Sequence, residues 1–473
     1  MSYDYDHLVL GGGSAGYAAA RTAHELGLKT AVVDGAETLG GLCILRGCMP
    51  SKTLIESSNR MRSMRRSKEF GLWANDFGFD AGAINDRKRK LIDEFASYRQ
   101  EQLTDGRFDL IRGTAEFIDE HTVRVGGEKE ITFATALIAT GSVITRIPID
   151  GLEETGYWTS RDVLDAREYP DSIVVLGGGA IALEMACFFE GLGIEVTVIQ
   201  RSAQVLSGSD RDVADAVEKA MSEADNCTVY TGTKLLRVEE SDAGKTVCFE
   251  HDGEEKSVTA GEILQALGRS PNTAGLGLEA AGIETQSDGK KVKVNSEMAT
   301  SQPHVFAAGD VCGPYEIVHI AIEQGEISAQ NAAVFLDQAS AESKREIDYR
   351  LKLLGIFTHP EVATVGLSEE EAEKEGRKVI VDSYPFDDHG KSMVKGETHG
   401  FVKLIADAET NELVGGAVVG PDAVDLIHEI AVAMHFNATA ADLAKVPHYH
   451  PTLSEIWTYP AEELAEQAED ANE

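Results

Sequence analysis

Two cysteines, Cys43 and Cys48, are the residues whose type and spacing most directly indicate chemistry. A closely spaced cysteine pair in a reducing compartment suggests redox chemistry. In a regular α-helix, residues five apart are roughly 8–9 Å apart at Cα, which exceeds the roughly 7 Å limit for a disulfide. A bridge therefore requires an irregular turn, for which Gly47 and Pro50 are suitable breaks. On these residues alone, two buried and inert thiols remain the alternative.

The elements that precede the cysteines form one copy of an internal repeat. A short apolar strand over residues 7–10 leads into Gly11, Gly13 and Gly16 in G-x-G-x-x-G spacing. An Ala-rich helix then extends to about residue 26, and the next strand ends at Asp34.

The second copy has the same order of elements. A strand over residues 173–176 leads into Gly177, Gly179 and Ala182, a helix to about residue 192, and a strand that ends at Gln200. The strand-end residue follows the first glycine by 23 positions in both copies. One such pattern is weak evidence, but two copies, each between a strand and a helix, predict two dinucleotide-binding units. The glycines allow a tight turn and close approach of a pyrophosphate, which the helix N-terminus then stabilises.

Composition excludes several classes of partner. The chain has 80 acidic and 43 basic residues and a formal net charge of −37, so nucleic acid and anionic lipid are unfavourable partners. Such acidity suggests a surface adapted to concentrated salt, with an ordinary acidic enzyme as the alternative. No apolar run approaches the roughly 20 residues of a membrane span. The N-terminus lacks the features of a secretory signal, which predicts a cytoplasmic protein.

The chain resembles the pyridine nucleotide-disulfide oxidoreductases, the family of dihydrolipoamide dehydrogenase, glutathione reductase and mercuric reductase. The resemblance is carried by the first glycine pattern, the cysteine pair, an A-T-G motif at residues 139–141, a second motif at 305–310 and an H-P-T-x-x-E pattern at 450–455. It implies that FAD is bound by Gly11, Gly13, Ser14, Gly16, Asp34, Thr140, Gly141, Gly309, Asp310 and His319. It implies that the nicotinamide coenzyme is bound by Gly177, Gly179, Ala182, Arg201 and Gly268.

The resemblance also implies a catalytic relay. Electrons pass from the nicotinamide through FAD to Cys48, while Cys43 attacks the substrate disulfide. Lys52 and Glu184 match the family's ion pair beside the flavin. His450 resembles the acid–base catalyst and Glu455 the carboxylate that orients it, acting on the disulfide of a second subunit in a homodimer. No metal is expected.

The resemblance implies an α/β fold with two Rossmann-like domains and a C-terminal α+β dimerisation domain. We place the FAD domain at residues 1–150, the NAD(P) domain at 151–270, a central domain that completes the FAD site at 271–346 and the interface domain at 347–473. Residues 461–473 are predicted to form a frayed helix or tail.

Coenzyme and substrate are predicted from departures within this pattern. Gln200 stands where a carboxylate would select NADH, and Arg201 follows it, which favours NADPH. Arg62 and Arg66 share a helical face with Arg65 and, with Arg46, could bind a disulfide that carries several carboxylates. A face paired with neighbouring acids is the alternative.

Together with the acidity, these arginines favour a small anionic thiol disulfide. The chain is similar to the bis-γ-glutamylcystine reductases of salt-loving archaea. Dihydrolipoamide dehydrogenase, mercuric reductase and a non-catalytic subunit of a 2-oxoacid dehydrogenase complex remain alternatives. Buried packing is expected for Cys187, Cys227, Cys248 and Cys312.

Overall fold

A computed structural model describes residues 3–470, with the side chain of Asp470 left aside. The chain divides into two compact units, each assembled from three stretches of sequence. Unit 1 comprises Met1–Ser51, Asp86–Thr145 and Gly268–Asp348. Unit 2 comprises Lys52–Asn85, Arg146–Leu267 and Tyr349–Glu473. The domain boundaries expected from the sequence stay a prediction.

The strands are β1 Tyr5–Leu10, β2 Thr30–Asp34, β3 Asp109–Arg112, β4 Ala115–Asp119, β5 Thr122–Val125, β6 Lys129–Ile138, β7 Ser142–Ile144, β8 Ser172–Leu176, β9 Glu195–Ile199, β10 Cys227–Tyr230, β11 Lys234–Ser241, β12 Gly244–His251, β13 Glu254–Ala260, β14 Glu262–Gln265, β15 Arg269–Pro271, β16 Val305–Ala307, β17 Leu353–Ile356, β18 Glu361–Gly366, β19 Val379–Pro385, β20 Phe401–Asp407 and β21 Leu413–Gly420.

The α-helices are α1 Ser14–Glu25, α2 Gly41–Arg46, α3 Cys48–Arg65, α4 Ala81–Thr104, α5 Leu152–Thr155, α6 Ser160–Asp165, α7 Ala180–Leu192, α8 Arg211–Ser222, α9 Val318–Phe335, α10 Glu369–Glu375, α11 Gly390–Lys395, α12 Ala423–His435, α13 Ala440–Ala444 and α14 Thr458–Asp470. Short 3₁₀ helices occupy Ser67–Phe70, Ala341–Ser343, Tyr349–Leu351, Phe386–Asp388 and Ser454–Trp457.

Unit 1 is built on a seven-stranded sheet in the order β3-β2-β1-β6-β5-β4, with β16 also paired to β6. Strand β1 pairs in parallel with β2 and β6, and Val9 lies opposite Val32 and Leu137. The central parts of these strands, residues 8–10, 31–33 and 136–138, are buried apolar runs, as expected for a parallel sheet that is covered on both faces. Helix α9 packs closely on α1, since a Cβ at Gly325 would come within 2.3 Å of the Ala15 carbonyl oxygen.

Unit 2 contains three sheets. A parallel sheet has the order β10-β9-β8-β14, an antiparallel sheet has the order β11-β12-β13, and a five-stranded antiparallel sheet has the order β17-β18-β21-β20-β19. Helices α12 and α14 pack on the five-stranded sheet, and Trp457 is fully buried in its core.

These sheets confirm the predicted fold class, including both repeat copies with their strands and helices. Helix α14 covers residues 461–470 of the predicted terminal helix or tail, and residues 471–473 lie outside the described part of the chain. Within residues 3–470, no helix combines the length and apolarity needed to cross a membrane.

Candidate active site

In the first glycine loop, residues 11–16, there is no room for a side chain at Gly11, Gly12 or Gly16. Gly11 has a φ of +109°, and a Cβ there would lie 2.4 Å from the Ala139 carbonyl oxygen. A Cβ at Gly16 would lie 1.8 Å from the Gly11 carbonyl oxygen. Gly13 precedes α1, which begins at Ser14. The loop therefore presents bare backbone at a helix N-terminus, where a pyrophosphate group is stabilised.

Asp34 is fixed beside this loop by backbone groups. Its Oδ2 accepts a hydrogen bond from the Gly12 N–H at 2.8 Å, and its Oδ1 accepts one from the Ala36 N–H at 2.7 Å. Strand β2 ends at this residue, so the carboxylate stands at the carboxyl edge of the parallel sheet. That is the position from which an acidic side chain binds a ribose hydroxyl.

The second glycine loop, residues 177–182, repeats the first with one difference. Gly177 has a φ of +116°, and a Cβ there would lie 2.5 Å from the Ala266 carbonyl oxygen. Gln200 occupies the position of Asp34, but its amide donates to the Gln204 carbonyl at 3.3 Å and the side chain is buried. Arg201 is exposed and has no ion-pair partner within residues 3–470. This loop therefore lacks the carboxylate of the first one.

The A-T-G motif at residues 139–141 and the motif at residues 305–310 lie close together in unit 1. Thr140 donates to the Asn272 carbonyl at 2.8 Å, and Gly141 has a φ of +70°. Ser142 donates to Asp310, which follows Gly309 after β16. The Gly309 N–H donates to Gln324 of α9 at 2.7 Å.

The same unit holds two other residues expected at the cofactors. His319 lies in the first turn of α9. Gly268, which we expected at the nicotinamide coenzyme, accepts a hydrogen bond from the Thr145 N–H at 3.1 Å. The bare glycine loop, the anchored Asp34 carboxylate and the Asp310 carboxylate fit FAD.

The cysteine segment, residues 41–52, contains the predicted break. Helix α2 ends at Arg46, Gly47 has a φ of −127° and a ψ of −117°, and α3 begins at Cys48. A Cβ at Gly47 would lie 3.1 Å from both the Cys43 Cα and the Leu42 carbonyl oxygen, so a side chain would be tightly packed in this turn. Pro50 falls in the first turn of α3, where proline is tolerated.

The positions of the two sulfurs suit thiol chemistry. Cys43 and Cys48 are both half-buried. Cys48 is the first residue of α3, where the helix dipole stabilises a thiolate. The cysteine segment also packs directly against the first glycine loop. Gly41 has a φ of +77°, and a Cβ there would lie only 2.7 Å from the Gly13 Cα.

Lys52 and Glu184 form the ion pair expected from the sequence. The Lys52 ammonium lies 2.8 and 2.7 Å from the two carboxylate oxygens, and the Glu184 side chain is only 6% exposed. The Phe357 N–H donates to the same carboxylate at 3.0 Å, and the Phe357 ring lies 4.8 Å from the ammonium.

The histidine and glutamate of the C-terminal pattern contact each other. His450 Nδ1 lies 2.9 Å from Glu455 Oε2. The His450 side chain is 80% exposed, whereas that of Glu455 is 13% exposed. His450 is thus an accessible imidazole held by a shielded carboxylate, the arrangement used for proton transfer.

Two of the candidate substrate arginines are engaged by acidic residues. Arg62 is buried and binds Glu190 at 2.6 Å and the Cys187 carbonyl at 2.8 Å. Arg66 binds Glu397 at 2.6 Å and also contacts Glu69. It follows the end of α3 rather than lying within it. These contacts correspond to the alternative of a face paired with acids, and we do not propose Arg62 or Arg66 as substrate ligands.

Arg46 and Arg99 both lie in the unit that holds the cysteines. Arg46 is the last residue of α2. Arg99, which the sequence analysis missed, stacks on the Tyr17 ring at 4.1 Å, and its Nε and Nη1 have no acceptor within the described residues. Burial lowers its pKa, and the Cys43 thiol is close enough to act on its charge. The spacing of arginines along a single helix could not reveal this side chain, because its neighbours come from other elements.

The remaining cysteines are buried, as expected. Burial raises the pKa of Cys187 to about 11 and that of Cys312 to about 12. It also raises the pKa of Cys227 and Cys248. Because the thiolate is the reactive form, these positions suit packing.

Three carboxylates in unit 2, those of Asp210, Asp212 and Glu369, have oxygens within 4.8 Å of one another. The ammonium of Lys403 lies 2.9, 2.9 and 2.7 Å from them. A lysine therefore already supplies the positive charge at this cluster.

Comparison with known proteins agrees with this geometry. Residues 5–325 match the family described as pyridine nucleotide-disulphide oxidoreductase, and residues 354–461 match its dimerisation domain. The dihydrolipoyl dehydrogenase of Bacillus subtilis is 35% identical over 97% of this chain and 96% of its own length. The mercuric reductase of Staphylococcus aureus is 35% identical over 93% of this chain and 79% of its own length.

Among solved structures, the Cu(II) complex of the HOCl-induced flavoprotein disulfide reductase RclA from Escherichia coli aligns with a TM-score of 0.84 and 26% identity, covering 98% of this chain and 100% of that one. Matches of this extent reach both glycine loops, the cysteine segment and the C-terminal sheet. The chain therefore belongs to the pyridine nucleotide-disulphide oxidoreductase family and is an FAD-dependent flavoprotein disulfide oxidoreductase that uses a pyridine nucleotide.

Proposed function

We propose that this enzyme reduces a small anionic disulfide, bis-γ-glutamylcystine, with NADPH through a redox-active Cys43–Cys48 pair. The observation that carries the coenzyme choice is the end of β9, where the buried Gln200 replaces a carboxylate and Arg201 is exposed. A carboxylate there would repel a 2′-phosphate, whereas an arginine can bind it.

The anionic substrate is supported by the positive charges near the cysteines. Arg46 ends the helix that carries Cys43. Arg99 lies in the same unit, and because its unpartnered Nε and Nη1 are buried, it contributes positive charge near Cys43 and not a direct contact to the substrate. In a chain with a net charge of −37, such cations favour carboxylate recognition.

The proposed chemistry is a thiol–disulfide exchange. The Cys43 thiolate attacks one substrate sulfur, the substrate disulfide breaks, and the first substrate thiolate takes a proton from His450. The Cys48 thiolate, favoured at the N-terminus of α3, then attacks the Cys43 sulfur, which closes the Cys43–Cys48 bond and releases the second substrate half as a thiolate that takes its proton from solvent. Two electrons from NADPH reopen that bond, with bound FAD as the two-electron carrier.

We propose that Lys52, paired with Glu184, presents a fixed positive charge beside the flavin, and that His450 acts on the cysteines of a second subunit in a homodimer. The match of residues 354–461 to a dimerisation domain supports the dimer.

Dihydrolipoamide dehydrogenase is the second candidate, because curated relatives at 35% identity carry that name. Gln200 does not suit its use of NAD. Mercuric reductase is less favoured, since this chain has no cysteine after Cys312 to match the C-terminal pair of those enzymes. A non-catalytic subunit would instead co-purify stably with a lipoyl-bearing core.

The test is steady-state turnover, in high salt, of bis-γ-glutamylcystine, glutathione disulfide, lipoamide and Hg(II), each with NADPH and with NADH. We expect the highest kcat/KM for bis-γ-glutamylcystine with NADPH. A preference for lipoamide and NADH would establish the second candidate. Cys43→Ser should abolish turnover while NADPH still reduces the flavin, and persistent turnover in that variant would refute the relay.

A further inference from the structure

Glu455 has a second histidine partner besides His450. Its Oε2 lies 2.9 Å from Nδ1 of His450, and its Oε1 lies 3.4 Å from Nε2 of His389. The two histidines differ completely in environment. His389 is 0% exposed, whereas the side chain of His450 is 80% exposed. The carboxylate therefore lies between an accessible imidazole and a buried one.

The contacts of His389 determine which ring nitrogen carries the proton. Nε2 faces a carboxylate, which only accepts hydrogen bonds, so a neutral ring is stable there with its proton on Nε2. Nδ1 then accepts the hydroxyl proton of Ser392, whose Oγ lies 2.8 Å away and is also buried. Burial lowers the pKa of His389 despite the raising effect of Glu455, which keeps the ring neutral near pH 7.

The position of His389 is fixed by packing. The Phe386 and Tyr459 rings meet it edge-on, at centroid distances of 6.4 and 6.5 Å. Tyr459 is itself stacked on Tyr384 at 3.9 Å. The ring cannot turn away from Glu455 without disturbing this cluster. Its Nε2 is buried and has no hydrogen-bond partner among the described residues, and Glu455 Oε1 at 3.4 Å is a carboxylate oxygen within reach of a small adjustment. Catalytic hydrogen bonds that are long or poorly aligned in the free enzyme commonly tighten in the reacting complex.

We propose that His389 is a positioning residue, which donates from Nε2 to Oε1 of Glu455 and so holds the carboxylate in the plane that orients His450. The inference rests on the acid–base role of His450 in the proposed function. Without the donor on His389, the Glu455 carboxylate is bound only to the exposed imidazole of His450 and can rotate. The His450 ring then no longer keeps a fixed orientation toward the group that it protonates.

A matched pair of amide variants tests this role. In His389→Gln the amide nitrogen can occupy the place of Nε2 and donate to Glu455. In His389→Asn the side chain is one methylene shorter and reaches only the place of Nδ1, beside Ser392. Both variants are neutral and bury one amide, so their structural costs are similar. Flavin content and melting temperature, compared between the two, check that both fold alike.

We expect His389→Gln to keep kcat within about threefold of the parent enzyme and His389→Asn to lose about tenfold or more, with little change in KM. The measurement uses bis-γ-glutamylcystine and lipoamide as probes. The single-turnover rate of flavin reduction by the coenzyme should be the same in both variants, because it precedes proton transfer to the substrate. A general structural defect would slow both steps.

Equal kcat in the Gln and Asn variants would overturn the inference. His450→Gln serves as the reference for the proposed function. Its side chain is exposed, so this substitution should leave the melting temperature nearly unchanged. Full turnover in His450→Gln would refute the role of His450 itself. Lost turnover in His450→Gln, with no difference between the two His389 variants, would refute only the role of His389.

Discussion

Replacement of Lys403 by methionine should destabilise unit 2 severely. The Lys403 side chain is 2% exposed and holds Asp210, which is 7% exposed, together with Asp212 and Glu369, which are 45% and 46% exposed. Removing one partner of a buried ion pair costs about 3–5 kcal/mol, because a charge is left buried without compensation. The Glu369 and Glu370 N–H groups still donate to Asp210, so we expect the lower end, about 3 kcal/mol.

The matched controls are Asp212→Asn and Glu369→Gln. Each removes one half-exposed partner of the same ammonium, and such pairs contribute about 0–1 kcal/mol. Urea unfolding followed by tryptophan fluorescence is a suitable assay, because Trp73, Trp158 and Trp457 all lie in unit 2. The reasoning would be refuted if Lys403→Met lowered the free energy of unfolding by less than about 1 kcal/mol, or if the two controls lowered it as much as Lys403→Met does.

The pH dependence gives an independent check. Burial alone would raise the pKa of Asp210, but hydrogen bonds from Lys403 and two backbone N–H groups outweigh it, and the pKa falls below 3.8. That stabilisation is present above pH 3.8 and is lost as the pH falls through the folded-state pKa. Burial alone would lower the pKa of Lys403, but its three carboxylates raise it above 10.5, so its contribution is lost only above that pH. Without Lys403, burial acts to raise the pKa of Asp210 in the variant, so the stability deficit of Lys403→Met should be largest near neutral pH and should shrink as the pH falls.

Three further outcomes are expected. Gly41→Ala should weaken FAD binding and lower the melting temperature, because the new Cβ would lie 2.7 Å from the Gly13 Cα. Gly27→Ala is the control, since Gly27 has a similar positive φ but open space around it, and this variant should keep its FAD. Equal FAD affinity in the two variants would contradict the packing argument. Gln200→Glu should lower the ratio of kcat/KM for NADPH to that for NADH by about tenfold, or ~1.4 kcal/mol, and an unchanged ratio would exclude this position as the selector. Raising the salt concentration from about 0.1 to 1 M shortens the electrostatic screening length from about 10 to 3 Å. Because the chain has 80 acidic and 43 basic residues, this screening should reduce repulsion between carboxylates and raise the melting temperature. A melting temperature independent of salt would favour an ordinary acidic enzyme.

The features that sequence predicted correctly are those set by local geometry. The glycines at 11 and 177 have positive φ values that favour glycine, and Gly47 lies in a turn where a Cβ would be only 3.1 Å from the Cys43 Cα. The pair of His450 and Glu455 was implied by the family resemblance, since both residues belong to one short pattern and lie five positions apart.

The features that sequence missed depend on partners distant along the chain. Arg62 looked available until the fold brought Glu190 to it, 128 positions away. His389 was not singled out from the sequence, because nothing in the residues around it indicates that Glu455, 66 positions later, will lie beside it. Periodicity places a residue on a face of a helix, but it does not say which distant element will cover that face.

The contact between Gly41 and Gly13 has a consequence for engineering. The loop over residues 35–40 is fastened at one end by Asp34, bound to the Gly12 N–H, and at the other by Gly41, packed on the glycine that precedes α1. Its span is therefore set at both ends. A cysteine segment transplanted from a relative would have to bring a connecting loop of the same length, or the graft would displace the redox pair from the flavin loop.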